Sequence, residues 1–213
     1  MKKNNVYEFF RRLEEREPEP KGELDYTNPY TLLVAVALSA QATDIGVNKA
    51  TKSLFKVVAT PQEMLNLGED KLKQHIKTIG LFNTKAKNVI KAAQMLVDDF
   101  DGVVPENRID LEKLNGVGRK TANVVLNMAF GQPTIAVDTH LFRVSNRTKM
   151  APGKTPLSVE LKLEKKIPKE FSLHAHHWLI LHGRYICKAR KPSCPTCPVE
   201  DICLFKGKTK LPD

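Results

Sequence analysis

All four cysteines of this 213-residue chain sit in one short segment near its end. Cys187, Cys194, Cys197 and Cys203 are spaced C-x6-C-x2-C-x5-C, and the first 186 residues contain none. A disulfide scaffold would spread its cysteines along the chain, so a single clump points instead to one local metal or cluster site in a reducing compartment. Four thiolates at these intervals can close a tetrahedral zinc site or hold a [4Fe–4S] cube. Zinc sites more often pair two C-x2-C knuckles, and only one interval here is that tight, so spacing favours the cube and leaves zinc open. The longest interval carries Lys188, Arg190 and Lys191. A loop tied down at both ends would present those charges rigidly.

Elsewhere the apolar pattern is helical. Ala86, Val89, Ile90, Ala93, Leu96, Val97 and Phe100 keep helical spacing, with Asn83 placed to cap the start and Gly102 beyond the end. Thr60-Pro61-Gln62-Glu63 reads as a capping box with proline at the first helical position. Asn28-Pro29 opens a mostly buried helix to about Ala40, and Thr155-Pro156 opens another to about Lys166. Val47, Ala50, Leu54 and Val57 stripe a helix over about 44–58. No sustained period-two alternation and no hairpin signal occurs. The expected class is therefore all-α, with about ten short helices. The longest aliphatic run, Leu32 to Leu38, is far below the ~20 residues a membrane helix needs. Near the N-terminus, Tyr7-Glu8-Phe9-Phe10-Arg11-Arg12 interrupts any apolar segment of signal-peptide length. A cytoplasmic protein with no membrane partner is expected.

Charge adds a direction. Thirty-four Lys and Arg oppose 24 Asp and Glu, a formal +10. Residues 1–25 hold six basic and seven acidic side chains, whereas 184–210 hold seven basic and two acidic, a local +5. Arg143, Arg147, Lys149 and Lys154 extend the basic run. Localised positive charge suits phosphate binding by counterion release, although a solvated, solubilising face would read the same.

Leu114-Asn115-Gly116-Val117-Gly118-Arg119-Lys120-Thr121-Ala122 is a second motif. A short helix over about 107–114 meets two glycines, and a second helix continues to about Phe130, burying Ala122, Val125, Leu126 and Ala129. This is a helix-hairpin-helix. Its glycines allow a tight turn and close approach to a strand, and its N–H groups and the positive end of the second helix can hold a phosphate.

Lys120 falls in the first turn of that second helix, where the helix dipole and lost solvation both favour a neutral amine, the form that performs Schiff-base chemistry. Asp138, in Ala136-Val137-Asp138-Thr139-His140, ends an apolar approach just before another helix. It reads as an N-cap carboxylate, as a group that stabilises developing positive charge or moves protons, or as both.

Taken in order, Leu38-Ser39-Ala40-Gln41-Ala42-Thr43-Asp44, Ile79-Gly80-Leu81, the hairpin, Thr134 to His140, His182-Gly183-Arg184 and the cysteine tail resemble the endonuclease III family over nearly the whole chain. That family comprises bifunctional, pyrimidine-specific DNA glycosylases with AP-lyase activity. Asn115 departs from the family's usual proline, which removes loop stiffness but no glycine. The resemblance implies a two-lobed helix-hairpin-helix glycosylase fold. A six-helix barrel over 23–133 would contain the hairpin at about 107–130. A cluster domain would comprise 1–22 and 134–213, with its loop at 187–203. DNA would lie over the cleft where Lys120 and Asp138 meet.

It further implies a [4Fe–4S] cluster on Cys187, Cys194, Cys197 and Cys203, and monomeric action on double-stranded DNA containing damaged pyrimidines or abasic sites. Lys120 and Asp138 would be catalytic. Gln41 and Leu81 would fill the space of a flipped nucleotide; without the resemblance they read as a polar helix end and a half-buried loop leucine. Gly116, Gly118, Arg119, Arg184 and Lys191 would contact DNA, and Ser39, Asp44 and His140 would flank the base pocket. His174, His176 and His177 read as a solvated, partly packed helix face rather than a metal site, Trp178 as core, and Tyr185 as a possible backbone contact. A non-catalytic iron–sulfur DNA-binding or redox-sensing protein on the same scaffold is the alternative. An adenine-specific relative usually lacks the lysine and carries a further C-terminal domain, for which the end at Asp213 leaves no room.

Overall fold

A computed structural model describes residues 1–210; Leu211, Pro212 and Asp213, and with them the expected chain end, lie outside the described residues. Among the described residues eleven α-helices follow one another: α1 Lys3–Arg16, α2 Pro29–Leu38, α3 Asp44–Leu54, α4 Pro61–Leu67, α5 Glu69–Ile76, α6 Phe82–Phe100, α7 Arg108–Leu111, α8 Arg119–Phe130, α9 Thr139–Thr148, α10 Pro156–Lys166 and α11 Ala175–Leu181. No strand occurs among the described residues. No described helix is long and apolar enough to cross a membrane. The chain divides into two compact units, Gly22–Gln132 and Met1–Lys21 with the chain from Pro133 onward.

In the Gly22–Gln132 unit, α2 is the central helix. It is apolar all round and buries Tyr30, Leu32, Leu33, Val34, Ala35, Val36 and Leu38, as a helix enclosed by neighbours must. It packs against α8, α3 and α6. Local chemistry starts these helices where the sequence indicates. Asn28 caps α2 in a reciprocal box with Thr31, and Thr60 does the same for α4 with Glu63. Two expectations fail. The start of α6 is not capped by Asn83; the helix begins at Phe82, one residue before it, behind Leu81 in the left-handed region. The α3 helix stops at Leu54, so Val57 is exposed and Val58 is buried in its place.

In the other unit, α1 buries Val6, Phe9, Phe10 and Leu13, an i, i+3, i+4, i+7 stripe. Phe10 lies 6.0 Å from the Phe171 ring and 6.3 Å from that of Trp178. Trp178 is core, and its indole N–H donates to the Glu17 carbonyl at 2.7 Å. His176 and His177 are buried too, so the expected solvated face is instead interior. His176 Nδ1 accepts from the Ala136 amide at 3.3 Å, which uses the imidazole as a packing partner.

Candidate functional site

The hairpin begins with α7, whose Asn107 cap accepts from the Asp110 amide at 2.9 Å. Leu114 and Val117 are buried and anchor the turn between them. Gly116 has φ +78°, and a Cβ there would stand 3.0 Å from that of Asn88. Both conformation and space therefore demand glycine. Gly118 precedes α8 and no side chain caps the helix, which leaves first-turn N–H groups suited to an anion. Arg119 is half-buried and Lys120 is exposed. The lost solvation expected for Lys120 is thus not supplied by the chain; only its first-turn position near the positive helix end stands. Ala129, expected in the core, is only partly buried.

Gln41 (φ 56°) and Leu81 (φ 58°) both hold left-handed backbone, unusual for residues with side chains. Gln41 is exposed beyond the end of α2. Leu81 is 62% exposed, so it is not the half-buried loop leucine of the simpler reading. Ser39 closes α2 by donating its hydroxyl to the Val36 carbonyl at 2.8 Å. Asp44 occupies the first turn of α3, where Thr43 supplies the cap.

In the other unit, Asp138 caps α9. Its Oδ1 accepts from the amides of His140 at 2.8 Å and Leu141 at 2.9 Å. This is the N-cap reading, and it leaves Oδ2 free of a hydrogen bond among the described residues. His140 lies against Gly183, where a Cβ would meet the His140 Cβ at 2.8 Å. Arg184 is half-buried and Tyr185 exposed.

Cys187, Cys194, Cys197 and Cys203 are free thiols that line one pocket, together with Thr148, His182, Val199 and Phe205. Burial pushes the Cys197 thiol up to about 11 and raises that of Cys203. Four thiols on one pocket are a donor set that fits a metal cluster. Among the described residues, no group of three or more His, Cys, Asp or Glu side chains is arranged to hold a single metal ion.

Two arginines expected on a DNA-facing run do other work. Arg147 donates to the Lys188 carbonyl at 2.6 Å, the Ala189 carbonyl at 2.9 Å and the Cys187 sulfur at 3.6 Å. Its guanidinium lies 4.7 Å from the Phe205 ring centre. Arg143 donates to the carbonyls of Cys187 at 2.9 Å and Gly183 at 2.7 Å. Their charges bind the cysteine loop, because its carbonyls would otherwise lack donors. Lys188, Arg190 and Lys191 remain exposed on that loop. Sequence reasoning missed these anchors, and it missed Lys85, bonded 47 residues away to Leu38, and Asn88, packed under Gly116, since no local pattern marks so distant a partner.

The HhH-GPD superfamily base excision DNA repair model matches residues 34–169. The chain is 60% identical to endonuclease III of Haemophilus influenzae over 99% of this chain and 100% of that protein. It is 57% identical to endonuclease III of Escherichia coli K12 over the same shares. A trapped endonuclease III–DNA covalent intermediate matches with TM-score 0.89 and 46% identity, covering 95% of this chain and 96% of the other. The chain belongs to the endonuclease III family within the HhH-GPD superfamily.

Proposed function

We propose that this chain is a DNA N-glycosylase that removes oxidised pyrimidines from duplex DNA and then cleaves the strand as an AP lyase. The observation that carries this is Lys120, an exposed amine in the first turn of an uncapped hairpin helix. The likeness to a covalently trapped endonuclease III–DNA complex supports a covalent route.

The target nucleotide leaves the stack so that its C1′ can be reached. Gln41 and Leu81 fill the vacated space, while Ser39, Asp44 and His140 border the base. DNA laid over the hairpin removes water from Lys120. Gly116 and Gly118 admit the strand, and Arg119, Arg184 and Lys191 meet phosphates. The Lys120 amine attacks C1′; the C1′–N bond breaks, and the base leaves with that electron pair and takes up a proton. The amine loses a proton, the C1′–O4′ bond breaks with its electron pair and a proton going to O4′, and the nitrogen lone pair forms the iminium of the ring-opened sugar. Loss of a 2′ proton then expels the 3′ phosphate with the C3′–O electron pair. Asp138 stabilises the positive charge on sugar and iminium, through the carboxylate oxygen its helix cap leaves free.

Cys187, Cys194, Cys197 and Cys203 would hold a [4Fe–4S] cluster, which would cross-link the basic loop. Four cysteines on one pocket, only one of whose intervals is as short as C-x2-C, support a cube over zinc. The enzyme acts as a monomer, in the cytoplasm, on the DNA found there.

Borohydride trapping on a thymine-glycol duplex tests the reading. A covalent protein–DNA adduct is expected, and Lys120→Ala abolishes it. Trapping that persists in Lys120→Ala overturns the lysine assignment, and binding without cleavage favours a non-catalytic protein.

A further inference from the structure

Lys85 lies in the first turn of α6, and only 8% of it is exposed. Its ammonium donates to the carbonyl of Leu38 at 3.0 Å. Leu38 is the last residue of α2, so that carbonyl is one of the orphan acceptors at the negative end of the helix. Desolvation is the influence felt by this ammonium, and no carboxylate is paired with it among the described residues. A buried cation held by one carbonyl is an expensive way to join two helices, and an apolar side chain of the same length would pack there at lower cost.

What the cation joins is specific. The Lys85 amide donates to the Leu81 carbonyl at 3.0 Å, so the same residue closes the turn that begins at left-handed Leu81. Three residues beyond Leu38 stands left-handed Gln41. Lys85 therefore ties together the root of the Gln41 loop and the root of the Leu81 turn. Left-handed backbone at residues with side chains persists only where the surroundings hold it.

We propose that Lys85 is a positioning residue that sets Gln41 and Leu81 in register, so that both enter the duplex together when the damaged nucleotide leaves it. This rests on the reading of Gln41 and Leu81 as the residues that fill that space. Single-stranded abasic DNA has no stack to enter, so it needs neither side chain and provides the internal control.

The test compares Lys85→Met with the parent on a thymine-glycol duplex and on a single-stranded abasic oligonucleotide, with thermal unfolding in parallel. We expect kcat/KM to fall about tenfold on the duplex and less than about twofold on the single strand. In a Gln41→Ala/Leu81→Ala background the same substitution is expected to add less than about twofold, because residues acting as a unit are non-additive. An equal loss on both substrates, no loss on either, or an undiminished loss in the double-alanine background overturns the proposal. If Lys85→Met does not fold, Lys85→Gln, which shortens the reach to Leu38, is read by the same criteria. Failure of the underlying reading looks different: Gln41→Ala/Leu81→Ala alone then leaves the duplex reaction intact, or the parent forms no trapped adduct.

Discussion

Gly183 presses its backbone against His140 so closely that a Cβ would stand 2.8 Å from the His140 Cβ and 3.3 Å from its carbonyl carbon. The His182–Ile186 π-turn that follows α11 and the start of α9 are thereby fixed against each other. Gly183→Ala must push that backbone contact apart, an overpacking of about 1–3 kcal/mol. A lower thermal midpoint is expected. Because His140 is two residues from Asp138, turnover should fall as well; an unchanged midpoint would show that the contact relaxes without cost.

Asp138 separates structure from chemistry. Asparagine caps helices as well as aspartate does, whereas alanine leaves the His140 and Leu141 amides without their acceptor and costs about 1 kcal/mol. Asp138→Asn should therefore unfold near the parent's midpoint yet turn over far more slowly, and Asp138→Ala should lose both. Unfolding curves and single-turnover rates on the same preparations distinguish them. Full activity in Asp138→Asn would reduce the carboxylate to a cap.

Arg147 holds the cysteine loop by two carbonyls and one sulfur. Arg147→Met keeps the stem but removes every donor. The visible absorbance of the cluster proposed for the four cysteines is expected to bleach faster in air than in the parent, before any loss of helical circular dichroism. Equal bleaching rates would assign loop rigidity to the cysteines alone.

His177 supplies a pH signature. Burial first, and the charge of His174 second, lower its imidazole to about 4. A depressed histidine is neutral in the fold and charged in the unfolded chain below about 6.5, so the unfolded state binds the extra proton. The His177 contribution is present above that value and is lost as pH falls toward 4, with a slope of at most about 1.4 kcal/mol per pH unit. Denaturant titrations across that window should show a shallower slope in His177→Gln. The same slope in both proteins would rule out His177 as its source.

Local chemistry was readable because its partners are a few residues apart. The Asn28, Thr60 and Thr155 boxes each close within three residues, and the glycine turn at Gly116 is written in the motif itself. The misreadings have a common cause. Asn83 looks like a cap by composition, yet Leu81 opens α6, and Arg143 and Arg147 look like free surface charge, yet their acceptors are about forty residues downstream. No spacing rule reports a hydrogen bond to a distant carbonyl.

By itself, then, the sequence determined the helical class, the hairpin and the four-thiol segment, because periodicity, glycine conformation and ligand spacing act over a few residues. Only the tertiary structure decided which charges are spent inside the protein. Lys85 goes to the end of α2 and Arg147 to the cysteine loop, whereas Lys120 remains exposed. Long side chains reach whatever packing brings near them, and an orphan carbonyl removed from water claims the closest cation.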